Sequence, residues 1–239
     1  MDVFPSVTCV LFDMDGVLVD VSRSYRSAVA QTAEHFTGQV VEPHVIQEYK
    51  NRGGFNDDWE LTHAIIRETG VEVRLDDVVR EFQIRYRGSA WNGLIADETP
   101  LVPHSLLEGL AITGIDIGVV TGRPAEEALW TIEHLEWSRF FKVVIAREQQ
   151  GERPKPDGYP LTRALEQLRE FSRDHLPGES AYVGDTIDDM QAATNAGVIP
   201  VGFVPPYLET GAHSELLRSH GARFVVSSHE ALALLVGLV

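Results

Sequence analysis

The sequence predicts an α/β protein built on a doubly wound parallel sheet, with an all-α cap domain inserted into it. Six short runs are continuously apolar, as strands buried on both faces are. Helical patterns lie between most of these runs, and strands that alternate with helices favour a parallel sheet. One long interval between the first two runs carries only helix-type periodicity, which indicates a separate helical insertion.

The predicted elements can be placed along the chain. Strands are predicted over residues 8–13, 115–122, 142–146, 180–185, 198–204 and 222–228. Helices are predicted between them over residues 124–135, 159–171 and 186–197. The short apolar tail at 231–239 is predicted to form a final core helix.

The helical insertion gives the predicted domain division. Residues 1–20 and 98–239 are expected to form the α/β core, and residues 21–97 the helical cap. Cap helices are predicted over residues 24–36, 58–70 and 75–88. Ser22 or Ser24 is expected to cap the first of them, and Asp57 or Asp58 to begin the second.

Composition and charge exclude several classes of protein. A chain of 239 residues with 44% apolar residues is long enough to bury a packed interior. Its net charge of −16 and pI near 4.9 argue against nonspecific binding to nucleic acid or anionic membranes, because those polyanions would be repelled. No stretch approaches the roughly 20 apolar residues of a membrane span. The first residues lack the basic start of a secretory signal.

Cys9 is the single cysteine of the chain and lies in the first apolar run. One cysteine cannot form a disulfide within the chain, so we expect a buried thiol. A reducing, cytoplasmic setting fits this composition best.

Polar residues gather where the predicted strands end. In an open parallel sheet, ligands bind beyond the carboxyl ends of the strands, where loops and helix N-termini meet. The residues concerned are Asp13 and Asp15 after the first run, Thr121, Gly122 and Arg123 after the second, Lys155 after the third, and Asp185, Asp188 and Asp189 after the fourth. These strand ends predict one rim that carries carboxylates, a hydroxyl and an ammonium.

Each of these signals is weak alone. The two aspartates of the first run also fit part of a calcium loop, but the following residues lack the further oxygen ligands and the glutamate that such a loop needs. Thr121 and Asp185 fit ordinary turn residues, and Lys155 fits a solvated surface charge. Their shared placement at strand ends argues against coincidence.

Taken together, four motifs resemble those of the haloacid dehalogenase superfamily of aspartate-dependent phosphotransferases. These motifs are FDMDGVLVD at 12–20, VVTGR at 119–123, RPKPDGY at 153–159 and YVGDTIDDMQAATNAG at 182–197. The helical insertion resembles the type-1 cap of the phosphoglycolate phosphatase-like branch. The resemblance implies a Rossmann-like core and a Mg²⁺-dependent phosphatase that acts on a small phosphorylated metabolite.

The resemblance also implies a role for each residue at the first strand ends. Asp13 would be the nucleophile, would form an aspartyl phosphate and would bind the metal. Asp15 would protonate the leaving oxygen and later deprotonate water, with its backbone carbonyl on the metal. Thr121 and Lys155, together with Gly122, would bind the phosphoryl group.

The acidic residues after the fourth run complete the implied metal site. Asp185 would be a further side-chain ligand, and Asp189 would hold Lys155 or a metal-bound water. Asp188 is less expected than Asp189 to take part in this site and is interpreted as a solvated residue of the first helical turn. Ligands that are all oxygen favour Mg²⁺ over zinc.

Residues 51–61 form the least helix-like part of the insertion. This stretch is either a helix–helix turn capped by Asp57 or Asp58, or a specificity loop that descends over the core site. As a specificity loop, its acidic residues and Trp59 would favour a leaving group with an ammonium or a stacking ring. The loop also resembles that of a small branch for which a histidinol-phosphate phosphatase role has been suggested. An amine-bearing phosphomonoester is therefore ranked above phosphoglycolate.

Other interpretations stay open on the same residues. Lys50 adjoins the glycine pair of the insertion, so a phosphonate hydrolase with a Schiff-base lysine is one alternative. A sugar-phosphate mutase or a dehalogenase would use the same core, although a dehalogenase does not need Asp15. A non-catalytic binding or regulatory module is a further alternative. The nine histidines contain no pair at i, i+4 and are interpreted as structural or surface residues.

Overall fold

A computed structural model of the protein describes residues 6–238. Two compact units divide the described chain: one contains the residues up to Val19 and from Pro100 onward, and the other contains Asp20–Thr99. Val239, the last residue of the predicted final helix, lies outside the described residues.

A parallel sheet is the centre of the first unit. Within residues 6–238 the strands are β1 Cys9–Phe12, β2 Val19–Asp20, β3 Thr99–Pro100, β4 Asp116–Val120, β5 Phe141–Ile145, β6 Ser180–Gly184, β7 Ile199–Phe203 and β8 Phe224–Val226. Six of them pair in the order β5-β4-β1-β6-β7-β8, and each pair is parallel. β2 and β3 form a separate two-stranded sheet. All six predicted strands overlap strands of the large sheet, which confirms the α/β fold class.

The helices of the described chain are α1 Tyr25–Thr37, α2 Pro43–Arg52, α3 Asp58–Glu68, α4 Leu75–Tyr86, α5 His104–Ile112, α6 Ala125–His134, α7 Arg147–Gln150, α8 Tyr159–Phe171, α9 Ile187–Ala196, α10 Thr210–Ser219 and α11 His229–Leu235. Short 3₁₀ helices cover Leu94–Asp97 and Pro177–Glu179. Within residues 6–238, no helix has both the length and the apolar character that crossing a bilayer requires.

Strand β1 shows why its residues form a central strand. Its four side chains, from Cys9 to Phe12, are fully buried, and the strand pairs with β4 on one side and β6 on the other. A strand enclosed in this way must be apolar on both faces, which is what the sequence shows. Cys9 is fully buried, which confirms the predicted buried thiol, and this burial raises the pKa of the thiol to about 12.

Helix α8 shows how the helices cover the sheet. Its buried residues are Pro160, Leu161, Ala164, Leu165 and Leu168. These positions recur at three- and four-residue spacing and therefore form one apolar stripe. The stripe packs with Leu11 and Ile145 in one hydrophobic cluster of the sheet.

The second unit contains the helices α1 to α4. Its core includes an aromatic cluster in which the Tyr25 ring lies 5.6 Å from the Phe82 ring and 4.1 Å from the Tyr86 ring. The predicted helices over 24–36, 58–70 and 75–88 correspond to α1, α3 and α4.

The predicted capping role of Ser24 is wrong. Ser24 occupies the N-cap position of α1, but its side chain makes no capping hydrogen bond. The hydroxyl instead donates to Glu98 Oε1 over 2.9 Å, and the Tyr86 hydroxyl donates to the same oxygen over 2.9 Å. Glu98 is buried, and a buried carboxylate requires hydrogen-bond donors, which Ser24 and Tyr86 supply.

Asp116 anchors a polar cluster at the amino end of β4. Its carboxylate accepts a hydrogen bond from Lys142, a 2.5 Å bond from Ser172 and a 2.9 Å contact with the His175 ring. Burial alone would raise the pKa of Asp116, but these hydrogen bonds outweigh it and hold the pKa below its usual value. The cluster therefore stabilises the folded state most when Asp116 is ionised.

Replacing Asp116 with Asn should destabilise the fold by about 2 kcal/mol at neutral pH, because an uncharged amide replaces the carboxylate that Lys142, Ser172 and His175 contact. The pKa of Asp116 is lower in the folded than in the unfolded state, so the carboxylate stabilises the fold fully at pH values above the unfolded-state pKa. This stabilisation is lost as the pH falls through the folded-state pKa. The difference between wild type and Asp116→Asn should therefore shrink in acid. Urea unfolding at neutral pH and near pH 3 measures it. A difference that does not change with pH would contradict this account.

Candidate active site

The strand order brings the chemically active strand ends side by side. From β1 the chain adds β4 and β5 on one side of the sheet, and later adds β6, β7 and β8 on the other. β1 and its neighbours therefore form the topological switch point, where open α/β sheets bind ligands. Asp13, Thr121 and Asp185 directly follow β1, β4 and β6.

Asp13 and Lys155 form a buried ion pair at this point. Lys155 Nζ lies 3.0 Å from Asp13 Oδ1, and the Lys155 side chain is fully buried. Burial raises the pKa of Asp13 to about 7; the Lys155 charge opposes this rise, and the carboxylates of Asp189 and Asp15 add to it. Burial alone would lower the pKa of Lys155, but Asp13 and Asp189 hold it well above its usual value. Lys155 is therefore a permanent cation beside Asp13.

Asp189 fixes Lys155 in place. Its Oδ1 accepts a 2.6 Å hydrogen bond from Lys155 Nζ, and its Oδ2 accepts bonds from the backbone N–H and the hydroxyl of Thr186 over 3.0 and 2.6 Å. Gly184 is required beside it, because a Cβ there would lie 2.5 Å from the Asp189 Cγ atom. The structure places Asp189 on Lys155, one of the two arrangements predicted for it.

Tyr182 also holds Lys155, and the sequence analysis missed it. Lys155 Nζ donates to the Tyr182 hydroxyl over 3.0 Å, and that hydroxyl lies 3.0 Å from the Val120 carbonyl and 3.1 Å from Asp189 Oδ1. One hydroxyl thus joins strands β4 and β6 to the lysine. A tyrosine within a run that is otherwise apolar was the available signal, since a buried phenol needs polar partners.

Three buried carboxylates converge beside this lysine. Carboxylate oxygens of Asp13, Asp185 and Asp189 all lie within 4.8 Å of one another. Their negative charge exceeds the single positive charge of Lys155, and buried charges of one sign need a cation. Carboxylate oxygens suit Mg²⁺, so the residues present fit the metal that the resemblance implies.

The loop after β1 passes close to the Asp185 carboxylate. Gly16 has a φ of 75°, which favours glycine. A Cβ at Gly16 would collide with the Asp185 carboxylate, lying 2.8 Å from its Cγ, and would lie 2.9 Å from the Tyr207 hydroxyl. The loop can therefore pass close to Asp185 only with glycine at this position.

His213 positions the backbone of Asp185. Its Nε2 lies 2.7 Å from the Asp185 carbonyl oxygen, and its side chain is buried. His175 contacts Asp116, and His229 Nε2 donates to the Val17 carbonyl over 3.0 Å. These three buried histidines act through hydrogen bonds, in agreement with their interpretation as structural residues.

Asp15 lies outside the carboxylate cluster and contacts Arg123. Arg123 donates from Nε over 2.7 Å and from Nη2 over 2.5 Å, both to Asp15 Oδ1. The Arg123 side chain is fully buried, whereas that of Asp15 is 26% exposed. No role for Arg123 was evident from the sequence, although the arginine stands two residues after Thr121 in the second motif.

A family model described as haloacid dehalogenase-like hydrolase matches residues 10–203. The chain belongs to this family. The match spans the strand ends that carry Asp13, Thr121, Lys155 and Asp185, so the resemblance seen in the sequence is confirmed.

Two curated relatives and one solved structure illustrate the likeness. The chain is 31% identical over 221 residues to phosphoglycolate phosphatase of Shigella flexneri, covering 87% of this chain and 85% of that protein. It is 34% identical over 206 residues to imidazoleglycerol-phosphate dehydratase of Phytophthora nicotianae, covering 84% of this chain. The chain spans only 44% of the length of that second relative. A haloacid dehalogenase family hydrolase of Deinococcus radiodurans, crystallised with phosphate and sodium, has the same fold, with a TM-score of 0.70, 20% identity and coverage of 98% of this chain and 97% of that one.

These findings place the chain in the phosphoglycolate phosphatase-like branch of the haloacid dehalogenase-like hydrolases. It is an enzyme of the phosphatase kind. The non-catalytic alternative therefore has no support from the relatives.

Thr121 and Gly122 of this hydrolase lie in the turn that follows β4. Thr121 is fully buried, and its Oγ1 accepts a 3.2 Å hydrogen bond from the backbone N–H of Arg123. Its carbonyl accepts a 2.6 Å bond from Gln150 Nε2. Gly122 is half-buried. The predicted contact of these two residues with a phosphoryl group stays a prediction.

The helical unit holds the other three predicted substrate-binding residues. Asp57 is the N-cap of α3, where it accepts hydrogen bonds from the backbone N–H groups of Trp59 and Glu60. Asp58 pairs with Lys50 over 2.8 Å. Trp59 is half-buried. Asp57 thus has the capping function of the turn interpretation, and a role in substrate binding stays a prediction.

The ion pair between Lys50 and Asp58 also bears on the alternative that the protein is a phosphonate hydrolase. A Schiff base requires an uncharged lysine amine, whereas Lys50 lies 2.8 Å from the Asp58 carboxylate, which favours the ammonium form. The arrangement of the helical unit therefore disfavours a nucleophilic Lys50.

The interpretation of Asp188 as a solvated residue is wrong. It stands in the first turn of α9 as predicted, but it is only 4% exposed. Its neighbours Ile187, Asp189 and Met190 are buried as well, so the first turn of α9 lies inside the protein rather than in solvent. The sequence pattern of α9 contains no signal for this burial.

Proposed function

We propose that the protein is a Mg²⁺-dependent phosphatase that hydrolyses a small phosphomonoester through an aspartyl phosphate on Asp13. The observation that carries this proposal is the buried Asp13–Lys155 pair within a cluster of carboxylates at the switch point of the sheet. A carboxylate in this setting is shielded from water and lies beside a fixed cation. Both features favour a role for the Asp13 carboxylate as a nucleophile toward phosphorus, rather than as a group that only interacts with water.

Asp13 and Asp185 would hold the metal through their side chains, and Asp15 through its backbone carbonyl. Bound there, Mg²⁺ neutralises the charge of the carboxylates and the phosphate and orients the phosphoryl group. Asp189 has both oxygens committed to Lys155 and Thr186, so we assign it to orienting the lysine rather than to binding the metal directly.

The chain's own residues would then carry out two transfers. A carboxylate oxygen of Asp13 attacks phosphorus while Asp15 gives a proton to the leaving oxygen. Lys155 and the Thr121 hydroxyl stabilise the charge on the phosphoryl oxygens. In the second transfer Asp15 takes a proton from the water that attacks the phosphorus, and Asp13 is released. The helical unit would act as a lid that excludes water during these steps.

Removal of divalent cations should abolish hydrolysis, because the carboxylates of Asp13 and Asp185 would then repel a phosphate dianion. Release of inorganic phosphate from p-nitrophenyl phosphate, measured before and after EDTA and after Mg²⁺ is restored, tests this expectation. Calcium should inhibit, since it prefers a larger coordination sphere.

A readout that does not depend on turnover accompanies this assay. Mg²⁺ should raise the melting temperature of the native protein but not that of Asp185→Asn. Asp174→Asn, which alters an exposed aspartate, serves as the control. Full turnover in excess EDTA would contradict the proposal, and a requirement for a sugar bisphosphate activator would favour the mutase alternative.

We propose a phosphomonoester that carries an imidazole and an amine, of the histidinol phosphate type, as the substrate class. The relative named imidazoleglycerol-phosphate dehydratase supports this choice, because the compound in its name joins an imidazole ring to a phosphate ester. The acidic and aromatic residues 56–60 of the helical unit suit such a cation. Phosphoglycolate, the substrate in the name of the other relative, is the second candidate.

The ratio of kcat/KM for histidinol phosphate to that for phosphoglycolate tests the substrate class. We expect it to exceed one in the native enzyme and to fall by about tenfold in the double variant Asp57→Asn, Asp58→Asn, since the carboxylate charges attract the ammonium. Asn is a good N-cap, so the variant should keep α3 intact.

The matched control is Asp76→Asn, Asp77→Asn, which removes two acidic residues from the first turn of α4. That variant should leave the ratio unchanged. A native preference for phosphoglycolate, or an unchanged ratio in the Asp57, Asp58 variant, would show that residues 51–61 are only a turn.

A further inference from the structure

Arg123 is anchored more firmly than a turn residue requires. Its guanidinium donates two hydrogen bonds to Asp15 and a third, from Nη1, to the Thr131 hydroxyl over 2.9 Å. Its backbone N–H donates to Thr121 Oγ1, and its carbonyl accepts a 2.9 Å bond from the backbone N–H of Arg147. A side chain with no exposed surface and this many partners has a single orientation.

The two bonds to Asp15 end on the same oxygen. Both Nε and Nη2 donate to Oδ1, and no hydrogen bond to Oδ2 is found among the described residues 6–238. Both lone pairs of Oδ1 accept hydrogen bonds from the buried guanidinium, so this oxygen cannot also carry a proton. A proton on this carboxyl group therefore belongs on Oδ2.

We infer that Arg123 is a positioning residue for Asp15, which it holds through Oδ1 so that Oδ2 is the oxygen that gives and takes the proton. This inference rests on the proposed function, in which Asp15 is the acid and the base. In the first transfer, the Oδ2 proton moves to the ester oxygen, the bond between that oxygen and phosphorus breaks, and the bond from Asp13 to phosphorus forms.

The second transfer restores the starting state. A water proton moves to Oδ2, the water oxygen bonds to phosphorus, and the bond between Asp13 and phosphorus breaks. Proton transfer needs a donor held within about 2.6–3.2 Å of its acceptor. The planar guanidinium of Arg123 orients the Asp15 carboxyl group through two N–H groups, which the single ammonium of a lysine does not do.

The test compares a poor and a good leaving group in Arg123→Gln. An alkyl phosphate needs the acid, whereas nitrophenolate leaves without it. We expect kcat to fall by about 100-fold for the alkyl phosphate, while rapid-quench formation of phosphoenzyme from p-nitrophenyl phosphate falls by less than about threefold. KM for the alkyl phosphate should change little. Asp15→Asn should show the same dependence on the leaving group.

A double variant separates positioning from a structural role. If Arg123 acts through Asp15, then Arg123→Gln should cost less than about threefold when it is added to Asp15→Asn. Equal losses for both leaving groups, or a full additional loss in the double variant, would show that Arg123 only supports the fold and would overturn the inference.

Two further variants keep the test decisive if Arg123→Gln does not fold. Arg123→Lys keeps the positive charge but loses the forked guanidinium, and Thr131→Val removes one hydrogen bond from Nη1 without touching Asp15. Both should lower alkyl phosphate turnover more than nitrophenyl phosphate turnover, and a loss independent of the leaving group in both would overturn the inference. Asp15→Asn that is itself insensitive to the leaving group would instead count against the proposed function.

Discussion

Asp13→Asn should lower turnover by at least about a thousandfold while the protein remains folded. The substitution keeps the volume of the side chain but replaces the attacking oxygen pair by an amide, which is a poor nucleophile. Asp13 is already costly to ionise, because burial raises its pKa to about 7. An uncharged amide at this position therefore removes repulsion from the neighbouring carboxylates as well as the attraction to Lys155, and we expect a melting temperature within a few degrees of wild type.

Rapid-quench labelling with a radioactive phosphate ester tests the chemical role directly. Wild type should form an acid-stable acyl phosphate, and Asp13→Asn should form none. Asp174→Asn, a change at an exposed aspartate, should retain wild-type labelling and turnover. Activity retained in Asp13→Asn would contradict the proposed mechanism, because the variant has no Asp13 carboxylate to form the acyl phosphate.

Lys155→Met should damage activity and stability together. The variant fills about the same volume but leaves Asp13 and Asp189 buried with no cation between them. Loss of one partner from a buried charge pair costs about 3–5 kcal/mol. Turnover should fall by about a thousandfold or more, since the phosphoryl oxygens lose a fixed positive charge. Urea unfolding and kcat/KM on p-nitrophenyl phosphate measure the two effects.

A second substitution separates the two effects. Lys155→Met combined with Asp189→Asn removes one of the stranded charges, so stability should recover in part. Activity should not recover, because the lysine proposed to bind phosphate is still absent. If stability and activity recover together, Lys155 acts only by balancing charge and does not contact the substrate.

The sheet could be predicted because its signal is local. Strands β1, β4 and β6 are buried at every position, so consecutive residues must be apolar there, whereas the edge strands β5 and β8 are only partly buried but still overlap the predicted runs. Helix α2 could not be found in this way, because only Ile46 and Tyr49 are buried along its length and its apolar stripe is too sparse to recognise. The proline at its start, Pro43, is the one local signal that favours a helix there.

The acidic part of the site could also be predicted, for a topological reason. Parallel strands end at one edge, so carboxylates that follow neighbouring strands must meet. The contact of Arg123 with Asp15 could not be predicted in this way, because it joins residues 108 positions apart and depends on the direction of a long side chain. The position of a helical turn likewise does not reveal whether another segment covers it, which is why the solvation of Asp188 was predicted wrongly.

The order in which the site residues occur along the chain has a consequence for biosynthesis. Asp13 leaves the ribosome early, but its partner Lys155 and the carboxylates of Asp185 and Asp189 emerge only after most of the chain has been translated. A truncated or half-synthesised polypeptide would therefore contain the proposed nucleophile without the lysine or the proposed metal ligands. On the proposed mechanism, hydrolysis would begin only when the fold is complete.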